Sequence, residues 1–266
     1  MGNLYNEITE SIIKELETGV APWIKPWKVQ MPYNAVTKRR YSGINVLLLW
    51  KANYASPEWF TFQQAKHNGV RIKKGEHATR IVKVGTYSVK KENEAEEERE
   101  YTYLKPIYVF NAEQTEGYDE KAVESLDGEL FINQIPAKVH MGGQHAYYHP
   151  REDSIYLPHP EHFENADHFL ATKAHELVHW SGAEHRLKRE FGKRFGDQAY
   201  CQEELVAELG SAFLCSDLGI KTHLRHAEYI GSWVKFLGEH RKAILSAAAH
   251  ATNAAAYLKQ ATVGGL

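Results

Sequence analysis

The chain has 266 residues, of which 43% are hydrophobic and 25% charged, and its formal net charge is −2. At roughly 100–200 residues per domain, this length predicts one large or two modest domains, and the composition excludes a disordered or collagen-like chain. The best candidate apolar run, Ile44–Trp50, is too short to span a bilayer. Glutamates at four of the first twenty positions do not fit a secretory signal, so we expect a cytoplasmic protein with no membrane partner.

The net charge conceals a strong asymmetry along the chain. Residues 1–90 carry 14 basic and 6 acidic side chains, a surplus of +8, whereas residues 91–200 carry 12 and 22, which gives −10. A binding partner responds to the local field rather than to the total charge. The basic N-terminal third therefore indicates a polyanionic partner, with nucleic acid first among the candidates.

The N-terminal elements follow from apolar spacing. Leu4, Ile8, Ile12 and Leu16 lie on one helix face that ends near Gly19. Further along, the patterns predict a buried helix at 41–50, a short helix from 61, and two strands, Thr79–Val89 and Tyr101–Phe110, on either side of a glutamate-rich hairpin tip. Residues 111–135 contain few large apolar groups, and we interpret them as a linker or exposed crossing segment.

The C-terminal part begins with a predicted hairpin at 146–157, in which Ser154–Leu157 is a candidate edge strand. A long helix then runs from an N-cap at Asn165 or Asp167 to Ser181. Two further helices are expected at about 202–217 and 227–258.

The strongest chemical signal is the pentapeptide His175-Glu176-Leu177-Val178-His179. On a helix, positions i and i+4 share one face, so both imidazoles can point at one metal ion. A zinc ion with three protein ligands keeps one position for water and lowers its pKa toward about 7, so that Glu176 can act as the base. We expect zinc, although another divalent metal such as manganese would also suit these ligands.

Two segments compete to supply the third ligand. His185 completes the longer pattern His175-Glu-x-x-His179-x-x-Gly182-x-x-His185, which usually goes with a methionine turn downstream, and this chain has no methionine after Met141. The other source is a later helix, in which Glu204 and Glu208 lie one turn apart. We favour Glu204 as ligand and Glu208 as the group that orients a histidine ring. Glu203, Glu208 and His185 remain alternative ligands.

A peptidase must also hold an extended substrate and stabilise an oxyanion. Adding the substrate as a strand to a sheet edge is the common solution, and 154–157 is the candidate edge. Candidate oxyanion partners are Tyr200, His223, His226 and Tyr229.

The N-terminal third interleaves aromatic and basic side chains, a combination that suits single-stranded nucleic acid because cations track phosphates and aromatic faces stack on bases. Two basic clusters in predicted turns, 38–40 and 71–74, are hard to explain as packing. The candidate nucleic-acid contacts are Trp23, Lys25, Trp27, Lys38, Arg39, Arg40, Tyr41, Arg71, Lys73 and Lys74.

Several motifs in order resemble one known family. They are Pro22-Trp-Ile-Lys-Pro-Trp27, Tyr41-Ser-Gly-Ile-Asn45, Thr61-Phe-Gln-Gln-Ala65, Lys74-Gly75-Glu76, His175-Glu-Leu-Val-His-Trp-Ser-Gly182, Phe195-Gly196 and Glu203-Glu-Leu-Val-Ala-Glu-Leu-Gly210. From about residue 5 to about residue 240, the chain resembles the ArdC-type antirestriction proteins of conjugative plasmids and related mobile elements. The resemblance implies a domain that binds single-stranded DNA, followed by a zincin-like metallopeptidase domain. It also implies His175, His179 and a glutamate of 203–208 as ligands, with Glu176 as base.

We therefore expect an α+β protein of two domains, a DNA-binding domain at 1–125 and a zincin-like domain at 126–266. In the first, helices pack on a small antiparallel sheet. Its partners would be single-stranded DNA and an unknown peptide or protein substrate. Two alternatives stay open, a DNA-coating protein whose metal is only structural, and a regulatory protease that cleaves a repressor or host protein.

Overall fold

The computed structural model describes residues 3–19, 21–23, 30–89, 99–118, 127–191, 197–221 and 227–262. It confirms the α+β fold class, with two separate sheets surrounded by helices. None of the helices in these ranges is long and apolar enough to cross a bilayer. The predicted boundary at residue 125 lies outside the described ranges, as does most of the glutamate-rich tip.

Within its described residues, the N-terminal part contains three α-helices and a four-stranded sheet in the order β1-β2-β4-β3. Strand β1 runs parallel to β2, and the other pairs are antiparallel. The elements are α1 (Asn3–Glu17), β1 (Tyr33–Asn34), α2 (Ile44–Lys51), β2 (Glu58–Thr61), α3 (Phe62–His67), β3 (Thr79–Val89) and β4 (Arg99–Asn111).

Two of the family motifs have structural roles here. In a reciprocal capping box at α3, the Thr61 hydroxyl accepts from the Gln64 backbone N–H, and the Gln64 side chain accepts from the Thr61 N–H. The side chain of Asn45, on α2, pairs with both the N–H and the C=O of Val82 on the edge strand β3. This contact satisfies backbone groups that an open sheet edge would leave exposed.

The C-terminal part contains a three-stranded sheet and the long helices. Its elements are α4 (Gly128–Gln134), β5 (Lys138–Met141), β6 (Tyr147–His149), β7 (Ser154–Leu157), α5 (Ala166–Ser181), α6 (Gln198–Leu218), α7 (Ala227–Glu239) and α8 (Ala243–Gln260). The sheet order is β5-β7-β6, so 154–157 is the central strand and its prediction as an edge is wrong. The expected helix at 227–258 is two helices joined by a turn at 240–242, and α4 occupies the end of the expected linker.

One buried core joins the two parts. Ile12 and Leu16 of α1 belong to the same apolar cluster as Leu177 of α5 and Leu237 of α7. A hydrogen bond from backbone to side chain links the parts as well, because the Gly43 N–H donates to the Thr252 hydroxyl on α8. The two regions differ in sequence pattern and charge, but their helices share this core.

Candidate metal centre and basic surface

Helix α5 carries the histidine pair. Its N-cap Asn165 accepts a hydrogen bond from the His168 N–H at 2.9 Å, which fixes where the helix starts. The face that follows is fully buried and includes Ala174, Leu177 and Val178. His175 and His179 lie one turn apart beside this apolar face, both buried.

Helix α6 crosses α5 closely at Gly210. A Cβ atom at this glycine would lie 2.9 Å from the side chain of Val178, so the absence of a side chain permits the approach. Asp197 caps the start of α6 by accepting from the Tyr200 N–H. This crossing brings Glu204 of α6 to the two histidines.

Three donor groups converge at this point. The Nε2 atoms of His175 and His179 are 3.2 Å apart, and each lies 3.6 Å from one carboxylate oxygen of Glu204. Donor atoms of a tetrahedral zinc site with bonds of about 2.0–2.1 Å lie about 3.3 Å apart. His175, His179 and Glu204 therefore have the chemistry and the spacing to hold a divalent metal ion.

The other nitrogen of each ring faces a buried carboxylate. His175 Nδ1 lies 3.6 Å from Glu208, and His179 Nδ1 lies 3.1 Å from Glu203. Such contacts fix ring orientation and raise the basicity of a metal-ligating histidine. Glu208 lies where an orienting group was predicted, whereas Glu203, considered only as an alternative ligand, is the corresponding partner of His179.

Arg189 holds Glu203 in place, a feature that the sequence analysis missed. Its Nε and one terminal nitrogen donate to the two oxygens of Glu203 at 2.9 and 2.8 Å. It also donates to the Val178 carbonyl at 2.6 Å and to the Ser181 hydroxyl at 3.1 Å. The loop after α5 thus returns a guanidinium to the end of the helix, and no sequence spacing marks this contact.

Gly182 makes room for that guanidinium. Its φ of −80° is open to any residue, but a Cβ atom there would lie 2.7 Å from Arg189 and 2.8 Å from Phe191. His185 does not reach the metal centre, because its ring is 65% exposed and lies 3.4 Å from Asp153. The prediction of His185 as an alternative ligand is therefore wrong, since the chain leaves α5 in another direction.

The charges of the cluster support one another. Burial lowers the pKa of His175, but the hydrogen bond that its ring donates to Glu204 and the charges of nearby carboxylates outweigh burial and raise that pKa to about 9. Burial raises the pKa of Glu204, but the two histidines and the Tyr200 hydroxyl outweigh it and lower that pKa to about 2. The cluster therefore keeps an ionised carboxylate at its centre.

The structure describes some of the other predicted active-site groups and leaves others undescribed. Glu176 is buried, and its charge is among those that raise the pKa of His175, so its carboxylate lies beside the ligand set. The Tyr200 hydroxyl hydrogen-bonds Glu204, and its role at an oxyanion stays a prediction. His223, His226 and the side chain of Tyr229 lie outside the described residues.

The predicted nucleic-acid contacts are only partly available. Trp23 is 2% exposed and packs edge-on against Trp233 in the core, so its prediction as a stacking residue is wrong. Arg40 forms an ion pair with buried Asp217, which also binds Lys259. This arginine therefore ties the N-terminal part to the C-terminal helices and is not free for phosphate.

The other predicted contacts lie at the surface or near it. Tyr41 is half-buried beside the Leu49 cluster, and Lys38 lies 3.5 Å from Glu58. Lys73 donates to the Glu113 carbonyl. The exposed basic residues among them are Lys38, Arg39, Arg71, Lys73 and Lys74. Lys25 and Trp27 lie outside the described residues.

Comparison with known proteins agrees with this geometry. The family model described as the N-terminal domain of anti-restriction factor ArdC matches residues 2–110, and the zincin-like metallopeptidase model matches residues 127–250. The metal-free crystal structure of the antirestriction ArdC protein from the R388 plasmid is 35% identical to this chain. It superposes with a TM-score of 0.83 over 99% of each chain. The chain belongs to the ArdC antirestriction family.

Two further ArdC-like matches extend the comparison. The Mn(II)-bound structure of the R388 ArdC protein is 34% identical over 98% of each chain, with a TM-score of 0.81. The DNA primase TraC of Escherichia coli is 34% identical over 93% of this chain. This chain spans only 26% of the length of that primase, so the ArdC-like region there is one part of a larger protein.

Proposed function

We propose that the protein is an antirestriction factor encoded by a mobile element. It binds single-stranded DNA and hydrolyses peptide bonds with a divalent metal ion, for which zinc is our first candidate. The observation that carries the peptidase proposal is the convergence of His175, His179 and Glu204 on one point, with Glu176 beside it. The related R388 ArdC protein has been crystallised with Mn(II) bound, which supports a divalent ion as the cofactor.

The residues present fit such an ion. Two imidazoles and one carboxylate are a usual donor set for catalytic zinc, which keeps a further position for water or substrate. The ion, when bound, supplies Lewis-acid chemistry and lowers the pKa of water to about 7. Glu203 and Glu208 hold the two rings, so the donor atoms stay aimed at one point.

Glu176 is the proposed general base and acid. Its carboxylate accepts a proton from the attacking water and then delivers it to the leaving amine. The Glu176 carboxylate is buried and its charge acts on His175, so it lies where a proton could pass between water and substrate.

An extended substrate would pair with an outer strand of the small sheet. Because β7 is central, the available edges are β5 and β6. We favour β6, since its Tyr148 packs against Phe191 and Phe191 packs against His179, with ring centroids 6.0 and 6.4 Å apart. A strand added there would run past the metal centre.

The test compares Glu176→Gln with the exposed control Glu184→Gln, each loaded with zinc. We expect both variants to retain one equivalent of metal by elemental analysis, and only Glu176→Gln to lose cleavage of a peptide library. Unchanged cleavage by Glu176→Gln would refute the mechanism. Metal that raises the melting temperature of the unmodified protein, without any turnover, would favour a purely structural ion.

The DNA proposal is supported by the family of the N-terminal region and by its +8 charge surplus over residues 1–90. Backbone-directed binding is salt-dependent, because bound cations of the protein release counterions from the phosphates. Titration of a labelled single-stranded oligonucleotide at two salt concentrations should give clearly weaker binding at the higher one. Absence of binding at low salt would refute this part.

A further inference from the structure

We propose that the peptide substrate carries an aromatic side chain that stacks on Tyr147 and extends a row of rings across the small sheet. This inference rests on the proposed peptidase function and on substrate pairing at β6. It adds the class of side chain that the substrate presents at this position.

Three rings lie side by side across one face of the small sheet, and we call them the aromatic row. The strand register pairs His140 of β5 with Tyr156 of β7, and Tyr156 with Tyr147 of β6. The ring centroids of the two pairs are 4.8 and 5.0 Å apart, and their planes differ by 18° and 13°. Each ring is therefore stacked on its neighbour.

The aromatic row faces away from α5. Side chains alternate along a strand, and the intervening residues Ile155 and Tyr148 belong to the main core together with Leu177 of α5. Tyr147 is 45% exposed. Among the residues that the structure describes, Tyr156 is the only ring in contact with Tyr147, and no further strand pairs with β6. The second face of the Tyr147 ring is therefore available at the edge of the sheet.

The spacing of the rings follows the spacing of the strands. Neighbouring strands lie about 4.7–4.9 Å apart, close to the ring distances in the aromatic row. A peptide that pairs with β6 would place one side chain opposite Tyr147 at the same spacing. A ring at that position would continue the row, because aromatic pairs favour stacking at centroid distances of about 4.5–7 Å.

The middle ring of the row is held before a substrate binds. The Tyr156 hydroxyl donates to the carboxylate of Glu152, in the turn between β6 and β7. Tyr147 stacks on this fixed ring. A substrate ring therefore meets a surface that is already ordered, which lowers the entropic cost of binding.

A nucleic-acid base is the other planar group that stacks on tyrosine, but the surroundings favour a peptide. Residues 91–200 carry 12 basic and 22 acidic side chains, a field that repels phosphates. Lys138 shares the face of the row, but it interacts with the charge of Glu152, which offsets its own. As an edge strand, β6 also offers backbone groups to which a peptide strand can pair.

The experiment profiles cleavage of a randomised peptide library by the zinc-loaded protein and identifies the residues on both sides of each cut. We expect one position to prefer an aromatic residue over leucine by about fivefold in kcat/KM, the effect of one stacked pair. Tyr147→Ala should abolish that preference while cleavage of the library continues. Met141→Ala is the matched control, because Met141 lies on the other outer strand, β5, and is 41% exposed.

Two further substitutions separate stacking from apolar area. Tyr147→Phe keeps the ring and should keep the preference. Tyr147→Leu keeps an apolar side chain without a ring and should lose the preference. Because the side chain of Tyr147 is exposed, these variants should fold, and thermal melting checks this.

The outcomes separate this subsite from the peptidase proposal. Cleavage without an aromatic preference, or a preference that survives Tyr147→Ala, would overturn the subsite and leave the peptidase intact. Weaker oligothymidylate binding by Tyr147→Ala, with an unchanged cleavage profile, would assign the ring to DNA and also overturn the subsite. Absence of cleavage by the unmodified protein would refute the peptidase proposal and the subsite with it.

Discussion

The guanidinium of Arg189 donates to both carboxylate oxygens of Glu203, at 2.9 and 2.8 Å. Since Glu203 in turn contacts His179 Nδ1 at 3.1 Å, the arginine controls how a proposed metal ligand is aimed. The bidentate contact requires the planar fork of arginine, which a lysine cannot reproduce.

Arg189→Lys should therefore weaken metal binding by about 10–100-fold, the usual effect of disturbing a group that orients a ligand. Positive charge near Glu203 is kept, so the fold should survive. Competition with a chelating dye gives the affinity, and the exposed neighbour Lys188→Arg is the control. Equal affinities for Arg189→Lys and the unmodified protein would show that Glu203 needs no such support.

Gly182→Ala should destabilise the protein by about 1–3 kcal/mol, because the added methyl group overpacks the site against Arg189 and Phe191. The backbone at Gly182 is in the right-handed helical region, so the loss is steric. Gly231→Ala on α7, where a Cβ atom meets nothing within 4 Å, should instead stabilise by about 0.5–1 kcal/mol. Urea unfolding of both variants would show this opposite sign, and equal signs would contradict it.

Arg40→Gln should lower stability without changing DNA affinity. It leaves buried Asp217 with Lys259 as its remaining described ion-pair partner, and the loss of a partner from a buried carboxylate costs about 1–3 kcal/mol. Arg39→Gln, at the exposed neighbouring position, is the control for stability. A drop in DNA affinity at unchanged melting temperature would restore Arg40 as a nucleic-acid contact.

Local spacing predicted that these four side chains would lie together. His175 and His179 at i and i+4, and Glu204 and Glu208 one turn apart, required only the helical period to be placed on matching faces. The structure brings all four side chains together. Which of them bind metal remains a prediction.

The failures share one physical cause, contacts between segments distant in the sequence. Trp23 is aromatic and Arg40 is basic, as contacts to DNA would require. However, Trp233 of α7 packs against Trp23, and Asp217 of α6 forms an ion pair with Arg40. His185 matches a known motif letter for letter, yet the loop that follows Gly182 packs Arg189, not His185, against α5. Such choices depend on tertiary packing, which residue patterns do not record.

Metal binding should release protons. In the metal-free protein the pKa of His175 is about 9, so its ring is charged at neutral pH, and a metal ligand must be neutral. The raised pKa of His175 stabilises the folded protein fully below about pH 6.5, and this contribution is lost as the pH rises through about 9. The lowered pKa of Glu204 stabilises the folded protein above about pH 4.5, and this contribution is lost as the pH falls toward 2.

Apparent metal affinity should consequently rise by about tenfold per pH unit between pH 7 and pH 9 if one proton is displaced. Calorimetry in two buffers of different ionisation enthalpy counts the released protons directly. A pH-independent affinity in this range would mean that His175 is already neutral before the metal binds.

The central claim is an ion held by two imidazoles and one carboxylate beside a buried glutamate. An anomalous-difference map from crystals of the zinc-loaded protein, recorded on both sides of the zinc absorption edge, tests it most directly. The account predicts one strong peak bounded by His175, His179 and Glu204, with the remaining position open to solvent. A peak elsewhere, or a fourth protein ligand closing the site, would contradict it.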